Sequence, residues 1–106
     1  MEELKLSQPF ESLSGEHIDT LHFDFSTLKT ADYRLITRLE SRLKGISEID
    51  LAVLTKKTSS EFRMASAWVA ALRGTKGLGY DDIDKISLSD LLDLEEIGAF
   101  FTVKLV

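Results

Sequence analysis

The sequence predicts an α+β fold, an N-terminal β-hairpin packed on a bundle of four to five mostly short α-helices. Three observations predict it. Apolar and polar side chains alternate over about residues 4–26 around a glycine turn. From about residue 30 to 104 the apolar period lengthens to three or four, and Ser, Thr or Gly punctuates the segment ends. No repeat, linker or low-complexity stretch interrupts the 106 residues, of which 43% are hydrophobic, so residues 1–106 read as a single domain with one modest core.

The hairpin comes first. In "LKLSQPFESL" Leu4 and Leu6 alternate with polar neighbours, and Pro9, the only proline, suits an edge strand because it cannot donate to a ladder. "LSGEH" supplies the turn at Gly15. "IDTLHFDF" returns with Leu21, Phe23 and Phe25 on one face and His22 and Asp24 on the other. Two strands alone are marginal in water, so the apolar face must lie on helices or on another copy of the chain.

Thr30 is placed to cap a first helix, "ADYRLITRLESRLK", whose Leu35, Ile36, Leu39 and Leu43 form one buried stripe. Arg34, Arg38 and Arg42 make a basic ridge on its other side, and Gly45 is the stop. Ser47 is placed to cap a short, apolar helix, "EIDLAVLTKK". Ser59 or Ser60 opens "EFRMASAWVAALR". There Phe62, Ala65 or Met64, Trp68 or Val69, and Leu72 recur at helical spacing, and Ala65, Ala67, Ala70 and Ala71 let a second helix come close. "DDIDKI" is a brief turn or helix. Ser87 and Asp90 then resemble a capping box for "LSDLLDLEEIGAFFTV", with Leu88, Leu91, Leu92, Ile97, Phe100 and Phe101 as a wide apolar face.

Composition narrows the function classes. The chain has no cysteine, which removes disulfides, thiolate catalysis and Cys-based metal sites. The Met-Glu-Glu start lacks a basic n-region and an apolar run, so no signal peptide is expected, and no apolar stretch reaches membrane-span length. A net charge of −5 argues against phosphate-backbone binding. The charge is unevenly spread. Residues 1–26 hold one base and six acids, residues 27–76 ten bases and five acids, and residues 77–106 two bases and seven acids. These are either solvated helix faces that cancel within the fold, or opposite patches that support self-association or binding of an extended partner.

Little in the sequence points to catalytic chemistry. "RGTKGLGY" holds Gly74, Gly77 and Gly79, but it follows a helix and lacks the terminal Lys-Ser/Thr of a phosphate loop. Gly74 reads instead as a left-handed residue ending the helix, and Thr75–Gly79 as a loop. His17 and His22 lie five apart on a strand, facing opposite sides, so they do not form a metal pair. No nucleophile elbow or triad pattern is present, and Asp81, Asp82 and Asp84 lack the calcium-loop spacing; acids at a helix start complement its dipole. No catalytic, cofactor-binding or metal-ligating residue is therefore assigned. Trp68, among Phe62, Met64 and Val69, is either core or an exposed interaction hot spot alongside Arg63 or Arg73.

The order of elements carries a resemblance. The hairpin "PFESLSGEHIDTLHFDF" leads through "DFSTLKTADY" into a helix. "SSEFRMASAWVAAL" follows, then the acidic "DDIDKISLSDLLDLEEIGAFF". The chain resembles the tail assembly chaperones of long-tailed bacteriophages and prophages over nearly its whole length, through patterns of polarity more than through invariant chemistry. The resemblance implies a non-enzymatic protein in the bacterial cytoplasm. It would bind the tape measure protein, keep it soluble until tail tube protein polymerises around it, and be absent from the mature virion. It also implies a short form, of which a frameshifted longer form can exist. Oligomers or filaments would then form where an acidic end meets a basic middle. The residues expected at protein contacts are Arg34, Arg38, Arg42, Trp68, Arg73, Asp90, Asp93 and Glu96. The alternatives are another phage structural adaptor, such as a head–tail connector component, and an acidic regulator that mimics nucleic acid.

Overall fold

The computed structural model describes residues 2–45 and 60–104. The expected helix "EIDLAVLTKK", with its cap Ser47, and the alternative start at Ser59 lie outside the described residues. Within them the fold is α+β: an antiparallel hairpin followed by four helical elements.

Strands β1 (Glu2–Glu11) and β2 (His17–Phe23) pair from Glu2↔Phe23 to Lys5↔Thr20, and again at Phe10↔Ile18 and Glu11↔His17. Between these two runs Leu6, Ser7, Gln8 and Pro9 face Asp19 alone, so β1 carries a large bulge. Pro9 sits inside it, where a missing N–H costs no ladder bond. The break also changes which β2 side chains point inward: Ile18 is buried on one side of it, Leu21 and Phe23 on the other. Phe25 continues the apolar face beyond the strand and stacks on Phe101 at a centroid distance of 4.3 Å. The turn forms as expected, with Ser12 N–H donating to Glu16 O at 2.8 Å and Gly15 at φ +92°, open to glycine without strain.

Helix α1 spans Thr30–Lys44 and buries Ile36, Leu39 and Leu43. Its cap differs from the expectation. Thr30 is already helical, and the residue before it, Lys29, is extended and donates its N–H to the buried Asp32 carboxylate at 2.9 Å. An acid in the first turn thus satisfies an orphan amide that Thr30 was expected to help satisfy.

Helix α2 (Ser60–Gly74) is the centre of the molecule, packing on α1, on β2 and on the last helix, α3 (Leu88–Lys104). Ala65, Ser66, Ala67, Trp68, Val69, Ala70 and Ala71 are all fully buried, so the middle of α2 is enclosed on every side. Ser66, the polar exception, donates its hydroxyl to Phe62 O within its own helix at 2.9 Å.

Two glycines allow the close packing. A Cβ on Gly98 of α3 would lie 1.8 Å from Arg63 O on α2, and one on Gly74 would lie 2.3 Å from His22 O on β2. Gly74 therefore does not end the helix in left-handed geometry, as the sequence implied. The positive φ belongs to Gly77 (+83°), and Gly74 is small so that β2 can cross the end of α2. There Asp24 N–H donates to Ala70 O at 3.1 Å. The Thr75–Gly79 loop is fastened at the same crossing. Buried Thr75 accepts the His22 N–H at 2.9 Å and donates to His22 O at 3.1 Å.

"DDIDKI" forms a single 3₁₀ helix, Tyr80–Lys85. Asp82, fully buried, accepts Gly79 N–H at 2.7 Å and Leu13 N–H at 2.9 Å, so one carboxylate caps this helix and anchors the hairpin turn. Ser87 caps α3 as expected, its Oγ accepting Asp90 N–H at 3.1 Å.

Candidate functional site

Each charged residue expected at a contact now has a place. Arg42, near the end of α1, donates to Asp81 at 2.8 Å and to Asp84, and lies 5.5 Å above the Tyr80 ring. The Asp81 hydrogen bond holds Arg42 above its ordinary pKa against partial burial. Arg73 at the end of α2 pairs with the buried Asp32, whose pKa that bond lowers, with the Lys29 amide adding to it. Asp90 is buried. Burial alone would raise its pKa, but the Ser7 amide, the Ser87 hydroxyl and the Gln8 amide outweigh it and the value is lowered. Arg42 and Arg73 thus tie the fold internally while their side chains stay 31% and 50% exposed, and Asp90 is corrected from a contact residue to a buried tie within the fold. Much of the charge asymmetry cancels internally in the same way: the basic middle meets the acidic end through Arg42 and through Arg63–Glu95 at 2.8 Å.

Trp68 is also corrected. It is fully buried and donates Nε1–H to Tyr80 O at 3.1 Å, so it fastens the 3₁₀ helix to the core and presents no surface to a partner.

Four expected residues remain. Arg34 and Arg38 are exposed on α1; Glu96 is exposed and Asp93 half-buried on α3. None of the four carries an ion pair among the described residues. Both helices pack on α2, and they come together where Arg42 and Leu43 of α1 line one cavity with Leu88 and Leu91 of α3.

An apolar surface lies on α3, and none of its apolar residues is among those expected at protein contacts. Leu94 and Gly98 are buried, with Leu91 and Phe101 half-buried on the same seam, at spacings of three, four and three. Leu88, Leu92 and Phe100, expected on one wide apolar face with Leu91, Ile97 and Phe101, are 72%, 50% and 61% exposed. They fall on a second row, 88–92–96–100, whose remaining member is Glu96. That row was legible in one respect: Glu96 at its third position is a poor core residue. Beside its start, Leu43, Ile83, Ile86, Leu88 and Leu91, with Arg42 and Asp84, line a cavity of about 200 Å³.

The histidines stand apart from this surface. His17 is exposed, and His22 Nδ1 lies 3.5 Å from Glu3. Among the described residues no three His, Asp or Glu side chains gather as a metal site needs, and no helix is long and apolar enough to cross a membrane. Compared with family models, curated proteins and solved structures, the chain matches none.

Proposed function

We propose that this protein is a non-enzymatic tail assembly chaperone of a long-tailed phage or prophage, acting in the bacterial cytoplasm. It binds the tape measure protein and keeps it soluble until tail tube protein polymerises around it. The observation that carries the reading is the exposed row Leu88, Leu92 and Phe100 on the last helix. Large apolar side chains scattered singly need no explanation, but three on one helical row, beside an apolar-walled cavity, are what a protein-binding surface presents. The resemblance in element order supplies the partner: a hairpin around a glycine turn, a helix, a helix opening on Glu61, Phe62 and Ala65, and a closing helix follow in the order that family uses. The cavity is smaller than the roughly 300–1,000 Å³ of small-molecule sites, which favours a protein side chain over a substrate as its occupant.

Co-expression tests the reading. Fragments of the tape measure protein encoded near this chain should move from the insoluble to the soluble fraction when the two are made together, and should co-purify. Fragments that stay insoluble, or dissolve without retaining the protein, would overturn it.

A further inference from the structure

The row on α3 has a composition that restricts what can lie on it. Residues 88, 92, 96 and 100 are spaced by four, the spacing of the ridges that interlock when two helices pack at about −50°. Twelve residues of helix separate Leu88 from Phe100, about 18 Å of axis, or more than three turns. Three members of the ridge are apolar and exposed, whereas the third in order, Glu96, is an exposed carboxylate without an ion pair among the described residues. Half-buried Asp93 lies three residues before it on the same helix, also without one. At the start of the ridge Asp81 and Asp84 share Arg42, with Lys85 on the same 3₁₀ helix. A partner that covered Glu96 with an apolar side chain would strip a carboxylate of water and return no hydrogen bond. One that placed a cation there would instead form a charge-assisted pair at an apolar interface.

We infer that the α3 ridge and its cavity form a docking groove for one amphipathic helix of another protein, with apolar residues spaced by four and a Lys or Arg opposite Glu96. The partner's first apolar residue fills the cavity beside Leu88. This is the helix-in-groove mode, in which a few spaced anchors carry the affinity and flanking charges set orientation. A second copy of this chain fits the groove less well. Among the described residues its exposed cations are Lys5, Lys29, Arg34, Arg38, Arg73, Lys76 and Lys85, and none of them stands on a helix beside an exposed apolar row spaced by four. The inference rests on the chaperone reading only for the source of the helix; the surface and its chemistry rest on α3.

The test titrates ¹⁵N-labelled full-length protein with two synthetic helical peptides of about twenty residues, both with Leu every fourth position, one filled with Lys and the other with Glu, and then with a tape measure fragment. The Lys peptide should move the amide signals of Leu88, Leu91, Leu92 and Phe100. It should bind at least tenfold more tightly than the Glu peptide. Glu96→Lys should reverse that preference, and Leu92→Asp, at a half-exposed site, should weaken the Lys peptide at least tenfold with the circular dichroism unchanged. Shifts centred on the Tyr33–Arg38 face, equal binding of both peptides, or the same signals moving with protein concentration alone would overturn the groove, the last because a second copy would then be its occupant. A tape measure fragment that binds elsewhere on the protein sinks the groove and leaves the chaperone reading standing. A Lys peptide that docks on α3 while no tape measure fragment binds keeps the groove and removes the chaperone reading.

Discussion

The carboxylate of Asp90 accepts the backbone N–H of Ser7 on both oxygens, at 3.0 and 3.1 Å, across 83 residues of sequence. Ser7 lies in the β1 bulge, where its amide has left the ladder, and Ser87 Oγ donates to the same carboxylate at 2.8 Å. One buried acid thus holds the hydroxyl of the capping Ser87 and fastens the hairpin to α3. Asp90→Ala should cost about 1–3 kcal/mol in urea unfolding by leaving these donors unsatisfied, with Asp90→Asn losing less because it keeps one acceptor oxygen.

Acid should destabilise the protein through the same group and through Asp32. Both carboxyls have folded pKa values below the ordinary 3.8. In acid the unfolded chain therefore takes up protons before the folded one does. The stability these groups contribute is fully present above about pH 4 and is lost as pH falls through their depressed folded values. Thermal unfolding followed from neutral pH downwards should show a midpoint that drops below about pH 4, with a shallower drop in Asp32→Asn than in the parent.

Gly98→Ala should reverse the usual helix rule. In a solvent-facing helix the change to alanine stabilises by about 1 kcal/mol. Here the added methyl would meet Arg63 O at 1.8 Å, a backbone atom that moves only with its helix. A loss of about 1–3 kcal/mol in chemical denaturation is expected, as for other overpacked cores.

Trp68, the only tryptophan, reports on the core. Its emission should be blue-shifted, resistant to iodide quenching, and unchanged when a partner binds α3. Trp68→Ala should cost about 3–5 kcal/mol, and a partner-induced red shift would count against the assignment of this residue to the core.

Arg38 and Arg42 lie one turn apart and should behave differently. Arg38→Glu, at an exposed position, should leave stability within about 0.5 kcal/mol. Arg42→Glu would place a third carboxylate beside Asp81 and Asp84, and should lower the melting temperature most at low salt, where repulsion is least screened.

What the sequence by itself determined is what neighbours a few residues apart decide. The alternation of Leu21 and Phe23, the turn at Gly15, the stripe Ile36–Leu39–Leu43 and the Ser87 cap all follow from strand or helix period and from short-range hydrogen bonds, and all are present. Tertiary structure decided whatever needed a partner distant in sequence. The Arg42 pairs span 39 and 42 residues, so their internal cancellation was invisible in the charge count. Gly74 and Gly98 were conspicuous only as glycines until β2 and α2 came against them. Helix α3 has apolar residues on two rows, and hydrophobicity alone cannot rank them. The row containing Gly98 could approach Arg63 closely and became core, which left Leu88, Leu92 and Phe100 facing out.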